Sequence, residues 1–325
     1  MKLRHKMILQ RLQPDIDRIN LALSGNLATH VRLISEVWDH ILISGGKRIR
    51  PLLFILAARM CGCRGDHLPD IGAIFEYLHA ATLLHDDVVD AATERRGQSS
   101  ANTIWGNQAV ILVGDFLLSK ALSIAVETRQ IRIIEVLAQT TTYMAEGEVL
   151  QLVNTGRLEM TEEEYFDVIT RKTAKLMSAA CQIGAILGGV DGRLEAAMAD
   201  FGLNLGITFQ LIDDILDFTG NAKEMGKPIC NDLKEGKITL PFIHTLRQLG
   251  PTEQQSLGHL VRESDAARIA QELLPLMQRH GSIDYARRLA QEYTNAAKEN
   301  LALFPSSPEK SLFLEVTDIL VNRTF

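Results

Sequence analysis

The sequence predicts an all-α fold, a single domain over residues 1–325. No stretch alternates apolar and polar residues in the manner of a half-buried strand. Long segments rich in alanine and leucine are instead separated by glycine and proline, dividing the chain into about ten or more helices. The 46% share of hydrophobic residues is ample for a large core.

In chain order, Met1 to roughly Leu23 reads as a first helix, with Pro14 near a break or early turn. Leu27 to Ile43 is a second, amphipathic helix whose apolar side holds Val31, Leu33, Ile34, Val37, Trp38, Ile41 and Leu42. Ser44-Gly45-Gly46 stops it, and Pro51 suits the first turn of a helix running to about Cys61. Between them Lys47-Arg48-Ile49-Arg50 makes a glycine-led, cationic corner that can approach an anion closely.

Asp70 to Asp90 is the central helix, ending in the acidic triplet Asp86, Asp87 and Asp90. Asp86 and Asp90 are one turn apart and about 40° apart around the axis, with His79 two turns earlier on nearly the same line. One stripe therefore carries His79, Leu83, Asp86 and Asp90. Carboxylates this close repel unless cations neutralise them, and Mg²⁺, which takes oxygen ligands shared with phosphates, suits the task. The spacing returns in Gln210-Leu-Ile-Asp213-Asp214-Ile-Leu-Asp217, where Gln210 and the three aspartates share one side. Two such motifs, well separated in a helical chain, look like two walls of one metal–diphosphate site.

After Asp90 come Arg95 and Arg96, a residue type that grips phosphate through two parallel hydrogen bonds. Gln108 to Val126 and Ile131 to Val153 are further helices, with Glu148 and Gln151 as polar residues at the site's edge. Glu162 to Leu187 carries Arg171-Lys172-Thr173-Ala-Lys175, and Leu194 to Phe218 carries the second acidic motif. A glycine-punctuated loop, Gly220 to Lys237, holds Lys227, Asp232 and Lys237 and is suited to closing over charged phosphates. The remainder reads as scaffold helices separated at Gly250-Pro251, Gly281 and Pro305 to Pro308.

A net charge of −6 and a pI near 5.9 argue against a nucleic-acid partner. The basic N-terminus meets Arg11 and Asp15 too soon for a signal peptide, and no run reaches the length of a transmembrane span, so a cytoplasmic protein is expected. Cys61, Cys63, Cys181 and Cys230 lack zinc spacing and read as reduced, structural thiols.

GGKRIRP (Gly45 to Pro51), HDDVVDAATERRG (His85 to Gly97), FQLIDDILD (Phe209 to Asp217) and GKPICNDLKEGKITLP (Gly226 to Pro241) come in the order and spacing of a known family. The sequence resembles the trans-polyprenyl diphosphate synthases, and within them the bacterial octaprenyl diphosphate synthases; the signatures run from Gly45 to Pro241. The resemblance implies an isoprenoid-synthase bundle around a central cavity, two or three Mg²⁺ ions per site, and a homodimer. It implies that Asp86, Asp87, Asp90, Asp213, Asp214 and Asp217 serve the metal, with Asp86, Asp90 and Asp213 as principal ligands. Lys47, Arg50, His79 and Arg96 would hold isopentenyl diphosphate; Arg95, Lys172, Thr173, Gln210, Lys227 and Lys237 would face the allylic diphosphate. Asp86, Asp90, Asp213, Lys172 and Lys227 would carry the catalysis. The family often ends in arginines; here Arg323 is followed by Thr324 and Phe325, which leaves a capping role for it in doubt.

Small residues at Ala81 and Thr82, just before Asp86, leave a path open for a growing apolar chain, with a floor around Ala121 to Ala125 and Leu137. The expected product is therefore long; the resemblance implies octaprenyl diphosphate for quinone side chains, with peripheral membrane contact for its release. A shorter-chain (geranylgeranyl) diphosphate synthase, a terpene cyclase and a non-catalytic subunit are the alternatives. A cyclase would have no use for Lys47, Arg50 and His79, and a non-catalytic subunit would be expected to have lost some carboxylates.

Overall fold

A computed structural model describes residues 2–43, 46–95, 97–220 and 229–321. The fold is all-α, as the sequence predicts. The helices are α1 (Lys2–Asn26), α2 (Arg32–Ile43), α3 (Ile49–Met60), α4 (Leu68–Val89), α5 (Ala101–Trp105), α6 (Asn107–Glu127), α7 (Ile131–Asn154), α8 (Glu162–Ile169), α9 (Lys175–Gly188) and α10 (Gly192–Thr219). They continue as α11 (Asn231–Lys234), α12 (Leu240–Gln248), α13 (Pro251–Glu263), α14 (Ala266–Arg279), α15 (Ser282–Ala302) and α16 (Pro308–Val321). One two-residue hairpin pairs β1 (Glu94–Arg95) with β2 (Gln98–Ser99), Arg95 opposite Gln98.

The chain packs as two compact units. The first comprises Met1–Thr140, Leu176–Gly202 and Leu301–Val316. Its centre is α4, whose residues from Leu68 to Leu78 are nearly all buried. Helices α1, α3 and α6 pack on it. Close approach to α3 is possible because a Cβ at Gly72 would already touch Pro51 and Phe54 at 3.3–3.4 Å. Trp38 packs at a tilt against Tyr77, ring centroids 5.0 Å apart, and the Tyr77 hydroxyl donates to the Leu23 carbonyl at 2.5 Å.

Two expectations for this unit need correction. Pro14 lies inside α1 and does not break it. The apolar positions around it, Ile8, Leu12, Ile19 and Leu23, keep helical spacing and are all buried, and Asp15 is gripped by both arms of Arg59 at 2.6 Å. This burial, at about 1.5–3 kcal/mol per large side chain, outweighs the roughly 3 kcal/mol cost of an interior proline. Helix α2 starts at Arg32, five residues later than expected, because Thr29 accepts the Val31 amide at 3.1 Å and turns the chain first. Of its expected apolar side, Val37 and Trp38 are buried but Val31 and Leu33 are exposed.

The second unit comprises Thr141–Lys175, Leu203–Asn300 and Thr317–Phe325. Its core joins Tyr165, Val168 and Ile169 of α8, Ile207, Leu211 and Ile215 of α10, and Phe242 and Leu273 further on. The stretch expected as one helix from Glu162 to Leu187 is divided: a π-helical segment, Thr170–Ala174, separates α8 from α9. Two glycines frame that segment. A Cβ at Gly147 would lie 2.7 Å from the Lys172 amide nitrogen, and one at Gly206 would lie 2.5 Å from Ala174 Cα. Within the stretch expected as a loop, Asn231–Lys234 forms a single helical turn.

Candidate active site

In the first unit the accessible edge of α4 is the stripe expected from the sequence. His79, Leu83 and Asp86 are half-buried and Asp90 is exposed, while Ala80, Ala81, Leu84 and Asp87 turn inward. Asp90 caps the helix, followed by Ala91 in the left-handed region at φ 48°. The Ala91 amide returns to the Val88 carbonyl at 3.3 Å and the Ala92 amide to the Asp87 carbonyl at 2.9 Å, the pairing of a glycine-type helix stop built on alanine. The chain then enters the hairpin, which carries Arg95 back to α4. There its Nε donates to Asp87 Oδ1 at 2.6 Å. Burial pushes the Asp87 carboxyl above its ordinary range, and the Arg95 guanidinium opposes that rise. His85, next to Asp86, lies over Gly114 of α6, with Nε2 3.2 Å from the Ile111 carbonyl and 3.5 Å from Asp115.

The cationic corner before α3 leaves Lys47 exposed and Arg50 half-buried. Arg96 lies outside the described residues, as do Lys227 and Arg323.

In the second unit the π segment presents Lys172 and Thr173 together. Lys172 Nζ donates to Glu148 Oε2 at 2.5 Å. The neighbouring cations are engaged elsewhere: Arg171 pairs with Glu146 and Asp167, and Lys175 sits 4.7 Å from the Tyr143 ring centroid. Thr173 Oγ1 donates to Gln210 Oε1 at 2.9 Å, Gln210 Nε2 to Asp214 Oδ1 at 2.8 Å, and the Tyr165 hydroxyl to Asp214 Oδ2 at 2.5 Å. Both oxygens of the buried Asp214 are thus engaged from within the protein. Burial, with the nearby Asp232 charge, holds its carboxyl well above the ordinary range, and the bonds from Tyr165 and Gln210 act the other way. Asp217 is also buried, and its Oδ2 accepts the Asp232 amide at 3.2 Å. Asp213, by contrast, is half-buried on the more accessible side of α10. Lys237 is half-buried, its ammonium on Glu235 at 2.8 Å and its amide on the Asp232 carbonyl at 2.7 Å.

Sequence reading missed Tyr165 as the donor to Asp214. The only signal for the π segment was the pair of small residues, Gly147 and Gly206, on the helices that flank it.

Residues 31–276 match the family model described as Polyprenyl synthetase. The chain belongs to the polyprenyl synthetase family. It is 38% identical over 309 residues to the octaprenyl diphosphate synthase of Escherichia coli K12, covering 95% of this chain and 96% of that one. Its fold superposes with a TM-score of 0.91 on the crystal structure of a decaprenyl diphosphate synthase from Rhodobacter capsulatus, at 36% identity over 99% of each chain. The same TM-score is found with a polyprenyl synthase from Caulobacter crescentus complexed with calcium and isoprenyl diphosphate, at 37% identity, covering 98% and 97% of the two chains. As a polyprenyl synthetase the chain is a prenyltransferase of isoprenoid biosynthesis.

Its carboxylates suit a hard cation: the donors are all oxygen. Among the described residues no three His, Cys, Asp or Glu side chains converge into a cage for an ion. Magnesium needs none, since it is ordinarily held by one or two carboxylates together with water and substrate phosphates.

Proposed function

We propose that the whole chain acts as one catalytic domain, a cytoplasmic long-chain all-trans polyprenyl diphosphate synthase. It condenses an allylic diphosphate, such as farnesyl diphosphate, with successive isopentenyl diphosphates to give octaprenyl diphosphate for quinone side chains. One observation carries most weight. The half-exposed edge of an otherwise buried helix carries His79, Asp86 and Asp90, in a chain 36–38% identical to octaprenyl diphosphate synthases over nearly its full length.

Asp86, Asp90 and Asp213 are the residues we assign to Mg²⁺. Asp87, Asp214 and Asp217, each buried, serve as further ligands or as support beside those three. Bound magnesium would neutralise the charge that develops on a departing diphosphate. Arg95, Lys172 and Lys237, with Lys227, add fixed cations to the same leaving group. Thr173 and Gln210 orient it. Lys47, Arg50 and His79, with Arg96, hold isopentenyl diphosphate so that its alkene faces C1 of the allylic partner. The allylic C1–O bond breaks, the alkene forms the new carbon–carbon bond at C1, and a proton is lost to the released diphosphate as the double bond re-forms.

Chain length follows from what lies beneath Asp86. Ala81 is buried and small, and Thr82 is half-buried, its hydroxyl folded onto the His79 carbonyl at 2.9 Å. Neither is an aromatic plug. We assign the floor to the buried Ala121, Ala125 and Leu137. Among the described residues α6 alone is long and apolar enough to cross a membrane by composition, yet one face of it packs on α4. Its other face exposes Ile111, Leu112, Leu122 and Val126, an apolar surface that supports a homodimer.

Incubation with farnesyl and isopentenyl diphosphates and Mg²⁺, with mass analysis of the product, tests this reading. Octaprenyl diphosphate is the expected product. A cyclic hydrocarbon formed from the allylic substrate alone, or no turnover, would overturn it. Light scattering should give twice the mass of one chain.

A further inference from the structure

The corner Lys47-Arg48-Ile49-Arg50 offers three cations in sequence, but the middle one points into the protein. Arg48 is only 9% exposed. Its Nη1 donates to Glu76 Oε1 of α4 at 2.8 Å and its Nε to Asn20 Oδ1 of α1 at 2.9 Å. Its backbone is left-handed, φ 50° and ψ 36°, a costly state for a side-chain-bearing residue that persists only where the surroundings fix it. Its carbonyl accepts the Leu52 amide at 3.1 Å, opening α3. Gly46 belongs to the same device: a Cβ there would lie 2.4 Å from Arg48 Nη1 and 3.4 Å from Glu76 Oε1, so the guanidinium folds back over a glycine. Glu76 in turn stands one helical turn before His79.

We infer that Arg48 is a positioning residue. Through Glu76 and Asn20 it fixes the corner against α4 and α1, which sets where Lys47, just before it, and Arg50, two residues after it, present their charges. It does not itself bind substrate. The inference rests on the reading that Lys47, Arg50 and His79 hold isopentenyl diphosphate, and it adds that the anion meets two cations of this corner instead of three. A planar, forked guanidinium with two partners defines an orientation that a single ammonium cannot.

The test uses Arg48→Lys, Glu76→Gln and the double variant Arg48→Met/Glu76→Met. The double variant matters because replacing a buried ion pair by apolar residues commonly preserves folding. For each, the KM of isopentenyl diphosphate and of farnesyl diphosphate are measured separately, and isopentenyl diphosphate binding is followed by calorimetry. Expected is a rise of tenfold or more in the KM and Kd of isopentenyl diphosphate, with the farnesyl diphosphate KM within twofold of wild type. The double variant should keep the wild-type Tm and still show the defect. Wild-type KM values for both substrates in the folded double variant would overturn the inference, as would an equal rise in both. A wild-type chain that does not bind isopentenyl diphosphate at all would instead remove the reading beneath it.

Discussion

Replacing Tyr165 by phenylalanine removes one oxygen and leaves the ring in place. The loss falls on Asp214, 2% exposed, whose Oδ2 accepts the Tyr165 hydroxyl at 2.5 Å and whose Oδ1 is occupied by Gln210. Removing the donor leaves a buried acceptor unsatisfied, which costs about 1–3 kcal/mol. Unfolding entropy of about 2.1 cal/mol/K per residue gives about 0.7 kcal/mol/K for a chain of this size, so the expected fall in Tm is about 1–4 °C. The effect should also reach function, because Asp214 orients Gln210, and Gln210 accepts from Thr173 in the π segment. The KM for the allylic diphosphate should rise severalfold while that for isopentenyl diphosphate holds. In an Asp214→Asn background, where an amide replaces the carboxyl that Tyr165 meets, the same change should cost less, about 0.5–1.5 kcal/mol. Differential scanning calorimetry on the four proteins of this cycle gives the coupling. An unchanged Tm, or an identical loss in both backgrounds, would show that the bond contributes nothing and refute the argument.

Asp86→Ala and Asp213→Ala should each lower kcat by at least about 10²–10³-fold at saturating Mg²⁺ with the circular dichroism spectrum intact, the scale expected when stabilisation of a leaving group is lost. Ala81→Phe should shorten the product on reverse-phase chromatography, because a buried alanine position leaves no room for an aromatic ring except the path of the growing chain. Ala91→Gly should stabilise the protein by about 1 kcal/mol in urea titration, since φ 48° strains alanine and not glycine. His244 stacks on Tyr285 at 4.3 Å, and burial, seconded by Arg288, His280 and Arg247, pushes its pKa down against the pull of Glu162. A histidine so lowered supports the fold above its ordinary pKa and loses that support as pH falls through the folded value. His244→Gln should therefore flatten the fall in Tm between about pH 7 and about pH 5.

Much of this molecule was legible because helices announce themselves by composition and spacing. The α4 stripe needed only the 3.6-residue repeat, and the structure places His79, Leu83, Asp86 and Asp90 on its accessible edge as that repeat requires. What escaped was decided by tertiary contacts. Pro14 marks a break by local preference, yet burial on both sides of it carries α1 through. Arg48, Ala91 and Cys230 take left-handed backbone with side chains that normally avoid it, so no residue type signalled those turns. Asp86 and Asp87 are indistinguishable as letters. Helical phase sets Asp86 on the accessible stripe, but that the hairpin returns Arg95 to the inward-turned Asp87 is a tertiary contact the letters do not carry.

The π turn at 170–174 means that the chain carries a residue beyond what a straight helix would need to cover the same rise. Loss of a single codon there would leave a helix that looks sound, even better bonded, by every local measure. It would also remove the wide turn that sets Lys172 on Glu148 and Thr173 on Gln210, while leaving the flanking turns in phase. A one-residue gap in this window of a homologous gene should thus be read as a change of activity, whatever the surrounding identity.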